Sequence, residues 1–310
     1  MNFRTELNIL PSSLQLNYSD TQMFIGSCFS ENIGKKTEAL RFNTLINPFG
    51  IVFNPFSLSK NLLRAIENRV YTEEELGFHN GLFYSFDHHS SFSHADKKVC
   101  LQKINEALFT AHEFLKRSKV LFITFGSAWV YLKDEKAVAN CHKIPNQHFE
   151  KQLLQLENIT SWYNGLLLHL KKINPQMNIV FTVSPVRHLK DGFIENQRSK
   201  AILLEAVHRI VEHNKNAFYF PAYELVMDDL RDYRFYGKDL LHLTEVGVEY
   251  VWKKFMQAYY SEHTQGIMKE VDNLNLFLNH RAMNEDESAL AVKKEKEVVE
   301  LKNKYPFLRL

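Results

Sequence analysis

Short apolar runs that end in Gly, Ser or Pro alternate along the chain with longer segments whose apolar residues recur every three or four positions. The runs read as strands: MFIG at 23–26, VLFITFGS at 120–127, NIVFTVSPV at 178–186 and AFYFPA at 217–222. The periodic segments read as helices. Over 57–69, Ser57 offers an N-cap and Leu62, Leu63 and Ile66 fall at helical spacing; over 101–117, Ile104, Leu108, Ala111 and Leu115 do the same; 149–172 and 197–213 follow suit. Strands that feed helices in this order predict an α/β fold with a parallel sheet.

The pattern changes after about residue 265. The segment NEDESALAVKKEKEVVELKNKYPFLRL is dense in charge, with Ala291, Val298 and Tyr305 spaced seven apart, which predicts a partly exposed helix over 283–305 that stops before Pro306. Two heptads are too few for a coiled coil. No internal repeat or low-complexity linker interrupts the chain, so the expected organisation is one principal domain over 1–265 and a helical appendage over 266–310.

Composition narrows the classes of function. With 310 residues, 45% hydrophobic and 13% aromatic, the chain can bury a substantial core, which excludes disorder throughout. Lys and Arg total 38 against 36 Asp and Glu, so net charge gives no reason to expect nucleic acid or an anionic membrane as the main partner. The N-terminus, MNFRTELNILPSS, lacks the basic segment, apolar run and cleavage site of a signal peptide, and no stretch approaches the ~18 apolar residues of a membrane span. Cys28, Cys100 and Cys141 are odd in number and widely spaced, which argues against a disulfide framework and for a reducing compartment. A soluble, cytoplasmic protein is the expectation.

The stretch QMFIGSCFSENIG at 22–34 carries the first candidate chemistry. A strand ending at Gly26 and a helix beginning near Ser30 would set residues 27 and 28 at a helix N-terminus, where unpaired amides and the helix dipole favour an anion such as a thiolate. The plain alternative is that Ser27 caps the helix and Cys28 packs inward. The second candidate lies in YRFYGKDLLHLTEVGVEYVWKKF: Asp239 and His242 are three apart, ahead of a helix with Thr244 as its N-cap. In that arrangement a carboxylate can fix an imidazole tautomer while the other ring nitrogen takes a proton from a nucleophile. A helix-entry loop whose Asp and His bond backbone is the competing account.

Taken together, these motifs resemble the GSCFA family, whose name appears here as Gly26, Ser27, Cys28, Phe29 and, with serine for alanine, Ser30. The resemblance covers about residues 20–260 and extends through INPFGIVFNP, TFGSAWVY, VANCHKIP, TVSPVRH and FPAYELVMDDLRDYRFYGKDLLH. That family is in turn similar to the SGNH, or GDSL-type, hydrolases. The resemblance implies a three-layer α/β/α fold with a parallel sheet of about five strands and a site at the strands' C-terminal edge. Aligning Gly-Asp-Ser with Gly26-Ser27-Cys28 implies Cys28 as nucleophile, Ser27 being the lesser candidate. The implied oxyanion donors are the nucleophile's own amide, Gly50 and an asparagine, in whose place Ala128 stands. Ser127 or Asn140 would then supply the third donor, or the hole is incomplete.

The resulting expectation is an acyl-ester hydrolase or acyltransferase acting on a small-molecule or carbohydrate acyl ester, with Cys28, His242 and Asp239 in the catalytic roles and no cofactor. A non-catalytic ligand-binding module on the same fold is the alternative. Arg187 and His188, just after a strand, are candidate substrate contacts. His79, Asp87, His88, His89 and His94 match no strong zinc spacing, so no metal is expected and a metal-dependent hydrolase trails. Cys141 and His142 could pair only if their segment turns. Trp129, Tyr131, Tyr233, Phe235 and Tyr236 are expected in the core.

Overall fold

The computed structural model describes residues 4–279 and 287–309. The chain begins with β1 (Thr21–Gly26), α1 (Cys28–Ala39), β2 (Asn43–Ile46), α2 (Pro55–Ile66), β3 (Gly77–His79), β4 (Leu82–Tyr84) and α3 (Lys97–Arg117). Next come β5 (Val120–Phe125), β6 (Trp129–Lys133), β7 (Lys136–Val138), β8 (Glu150–Leu153), α4 (Leu156–Ile173), β9 (Asn178–Val183) and α5 (Phe193–His213). The last elements are β10 (Ala217–Tyr219), the short α6 (Ala222–Glu224), α7 (Glu245–Tyr259), α8 (Glu262–Asn279) and α9 (Glu287–Lys304).

The main sheet has the order β10-β9-β5-β1-β2, and every pair in it is parallel. Alternation along the strands divides the core in two. Met23, Ile25, Leu121, Ile123, Phe125, Ile179, Phe181 and Val183 face one cluster with side chains of α2, α3, α4 and α5; Phe24, Val120, Phe122 and Val180 face the other, shared with α1, α7 and α8. Side chains of successive strand residues point to opposite faces, so apolar residues at both parities bury a strand between two helix layers. The result is the expected three-layer α/β/α fold. Among the described residues, no helix is long and apolar enough to cross a membrane.

Helix boundaries differ from the expectation where caps precede the apolar stripe. α2 starts at Pro55 behind Asn54, whose side chain accepts from the Ser57 amide, so Ser57 lies inside the first turn and is not the cap. Pro at the first helical position lacks the N–H that would otherwise go unpaired. α3 likewise starts at Lys97 behind Asp96. Two small sheets were not expected: the β3–β4 hairpin, turning at Asn80-Gly81 with φ of 50° and 77°, and the antiparallel β7-β6-β8 sheet. Positive φ at both central residues is the signature of the tight hairpin turn that Asn-Gly favours.

The boundary expected near residue 265 falls inside α8. Ile267, Met268 and Val271 of that helix belong to the second core cluster, as does Leu308, and the Phe307 ring lies 5.7 Å from Tyr18. The C-terminal helices therefore share the core of the main sheet. Of the helix expected over 283–305, residues 283–286 lie outside the described residues. Tyr233, expected in the core, is 72% exposed.

Candidate active site

The turn from β1 to α1 is built around Gly26. Its φ is +130°, and a Cβ there would sit 2.2 Å from the Thr124 carbonyl oxygen, so only glycine lets the turn lie against the end of β5. The Gly26 amide donates to Asn47 Oδ1 at 2.9 Å and the Ser27 amide to the Thr124 carbonyl at 3.3 Å. Ser27 is the N-cap of α1: its hydroxyl accepts from the Phe29 amide, and it is buried. Phe29 packs into the second cluster, and Ser30 Oγ donates to the Ile25 carbonyl while sharing a hydrogen bond with Thr124 Oγ1. Each residue around Cys28 thus has a structural task.

Cys28 is the first residue of α1, two positions earlier than the helix start expected near Ser30, and it is half-buried. Burial pushes its thiol up from the ordinary value, and Glu31 adds to this; the amides of Phe29 and Cys28 and the Lys200 ammonium pull the other way without prevailing. The expectation of a thiolate supplied by the helix N-terminus alone is therefore corrected, because desolvation of the charged form outweighs the amides.

The loop before α7 holds Asp239 and His242. Asp239 Oδ2 accepts from His242 Nδ1 at 2.6 Å, and Asp239 Oδ1 accepts from the amides of Leu241 and His242, each at 3.0 Å. Those bonds, with the one to His242 first, hold the Asp239 carboxyl down to about 2. The loop closes through Gly237 N–H on the His242 carbonyl, and Leu240 between them has φ of 58°, a left-handed conformation that a bulky side chain rarely adopts. Thr244 caps α7 as expected. The His242 and Asp239 side chains are 57% and 49% exposed, where an ion pair adds little to stability. Among the described residues, no hydrogen bond joins His242 to Cys28.

His188 follows β9, and Lys200 lies on α5. His188 stacks on Phe53 with ring centroids 4.9 Å apart, and its amide donates to Asn196 Oδ1. Burial, then the Lys200 charge, pull it down to about 4, with a further contribution from His242. Lys200 in turn senses Cys28 and Arg187. Arg187 lies with its guanidinium 5.9 Å from the Tyr236 ring and against Met227 Sδ.

Other expected site residues stand differently. The Gly50 amide donates to the Asn47 carbonyl at 2.7 Å, closing a turn. Ser127 Oγ accepts from the Trp129 amide and is shared with Ser199 Oγ; Asn140 Oδ1 accepts from the His142 amide. Ala128, in the place of the implied asparagine, is fully buried and donates its amide to Ser199 Oγ. Asn47 Nδ2, by contrast, is buried without a partner among the described residues, and Oδ1 of the same amide is on Gly26. Cys141 and His142 lie in a turn, where His142 bonds the Ser85 carbonyl. His88 is wholly buried against Tyr71 and Phe92, and burial pulls it down to about 3. Among the described residues, no group of three His, Cys, Asp or Glu is placed to hold a metal ion.

Sequence reasoning missed Asn47, Asn196, Ser199 and Lys200. The last three are buried on α5, one turn before Leu203, Ala206, Val207 and Ile210 on the same face. Extending that apolar stripe backwards by steps of three and four lands on them, which is the signal that was available.

No curated protein matches the chain. Residues 21–255 match the GSCFA family, a span that runs from the first residue of β1 through the Cys28 turn and the Asp239–His242 loop into α7. With three quarters of its length so matched, the chain belongs to the GSCFA family.

Proposed function

We propose that the protein is an acyl-ester hydrolase or acyltransferase in which Cys28 is the nucleophile. The observation that carries this reading is the Asp239–His242 pair: Asp239 fixes the Nδ1–H tautomer, and among the described residues no hydrogen bond takes up Nε2, which can accept a proton. Catalytic hydrogen bonds often tighten only once substrate is bound, so the proposed role does not require a direct bond to Cys28 beforehand.

In the proposed reaction His242 Nε2 takes the Cys28 proton, and Sγ attacks the ester carbonyl to form an S–C bond. The carbonyl oxygen becomes an oxyanion, for which the Cys28 amide and Asn47 Nδ2 are the donors; Gly50 supplies the turn that sets Asn47 in place. Collapse breaks the C–O bond, and His242 returns the proton to the leaving alkoxide. Water then releases the acid, or a second hydroxyl, such as that of a sugar, accepts the acyl group.

The test is incubation with p-nitrophenyl acetate and mapping of the acetylated residue by mass spectrometry. An adduct on Cys28 that His242→Ala slows by about a hundredfold or more is expected. An adduct on Ser27 would move the nucleophile, and none with any activated ester would favour the ligand-binding module.

A further inference from the structure

β2 is an outer strand of the main sheet, and its residues Thr44, Leu45 and Ile46 wall a cleft of about 530 Å³, within the ~300–1,000 Å³ of small-molecule sites. α1 presents Glu31, Lys35 and Glu38 to the same space, spaced four and three apart on one helix face. The His-rich stretch supplies His89 and Ser91. It is pinned there: a Cβ on Gly50, whose φ is +74°, would sit 2.2 Å from His89 Cβ, and the His89 amide donates to the Phe49 carbonyl at 3.1 Å. Asn47 also lines the cleft, and its Oδ1 is the 2.9 Å acceptor of the Gly26 amide, two residues before Cys28. The cleft and the turn that carries Cys28 therefore share a side chain.

The lining mixes donors with acceptors. The Ser91 amide donates to His89 Nδ1 at 3.3 Å, which puts the proton of the neutral ring on Nε2, and among the described residues no hydrogen bond takes up that donor. Glu31 is paired with Lys35, whereas Glu38 has no ion pair among the described residues and remains an acceptor. An outer strand also leaves backbone N–H and C=O groups without a strand partner on its open side. A hydroxyl both donates and accepts, so several hydroxyls on one ring can use such a set, and Leu45 and Ile51 offer apolar surface to the C–H groups between them. A phosphate or carboxylate only accepts, and it would meet two carboxylates against one ammonium. An amine only donates and would leave the His89 and Lys35 donors unused.

We propose that this cleft binds an uncharged polyhydroxylated group, of which a sugar ring is the type, with His89 Nε2 as donor and Glu38 as acceptor to its hydroxyls. Its role as the subsite for the alcohol portion of the acyl ester rests on Cys28 being the nucleophile; its binding of the polyol does not. The His-rich stretch, which holds no metal cluster among the described residues, then has a task in recognition.

The experiment is saturation-transfer difference NMR on the full chain, with methyl α-glucoside, N-acetylglucosamine and maltose as neutral probes and glucose 6-phosphate as the anionic one. At least one neutral sugar should receive saturation, and glucose 6-phosphate should bind about tenfold more weakly or not at all. His89→Ala should raise the dissociation constant of the bound sugar about fivefold, the loss of one hydrogen bond. If that variant does not fold, Glu38→Ala on the exposed face of α1 decides, with a rise of about tenfold expected for the loss of a charged acceptor. Binding by none of the neutral sugars, tighter binding of glucose 6-phosphate, or an unchanged dissociation constant in the folded variant overturns the proposal. Sugar binding without any acyl adduct on Cys28 would sink the acyl-transfer reading alone, whereas an acyl adduct with no sugar bound would sink this one alone.

Discussion

Asp239 accepts three hydrogen bonds with one carboxylate, two from backbone and one from His242. Asp239→Ala should lower ester turnover by about a hundred- to ten-thousandfold, because the imidazole loses its tautomer and orientation. The same change should cost less than about 1 kcal/mol in urea unfolding, since the pair is largely in water. Lys200 behaves in the opposite way. Burial pulls its ammonium from 10.5 down to about 7, so between those values the unfolded chain binds more protons than the folded one. The charge penalty is fully present below pH 7, and stability rises as the pH climbs towards 10.5. Thermal unfolding should show this rise in the wild type and a weaker one in Lys200→Met; parallel pH profiles would contradict it. The helix start beside Cys28 and the pairing of Asp239 with His242 were legible in the sequence, because a strand-to-helix turn and a three-residue spacing ahead of a helix are local features. Lys200 was not, because its acceptors lie 74 and 16 residues away and only folding brings them to it.

At the scale of elements, the position of Cys28 depends on how closely α1 approaches the sheet. Gly26→Ala would force a Cβ into the Thr124 carbonyl at a φ of +130°, and should destabilise the fold by about 3 kcal/mol or more in chemical denaturation. A loss under about 1 kcal/mol would mean that the turn can relax without its glycine. The central strands and the faces of the long helices were readable from periodicity, since burial imposes it. Helix starts were read late because first turns are polar: Asn54 and Asp96 cap helices whose apolar stripes begin later. The small β7-β6-β8 sheet escaped because short strands with half-exposed faces carry little alternation. Asn47 became a candidate donor only through the parallel register of β2 with β1, which brings its side chain to the Gly26 amide.

Across the whole molecule, the C-terminal segment returns to the edge of the sheet opposite the site. Leu308 is 4% exposed in the second core cluster with Tyr18 and Phe42, while Cys28 lies just past the C-terminal end of β1. Leu308→Ala should therefore lower the urea midpoint, at a cost of about 2–4 kcal/mol, and leave turnover per folded molecule intact. Lost turnover in the folded variant would tie the segment to the site. The same segment bears on how the protein behaves at high concentration. Arg309 Nη1 donates to Asn43 Oδ1, at the first residue of the outer strand β2, which has four residues; the opposite outer strand, β10, has three. Open strand rims invite sheets of neighbouring molecules to join, and short rims with a cation at one end discourage it. Loss of Arg309 should accordingly show itself first as self-association under crowded conditions, before any change in chemistry.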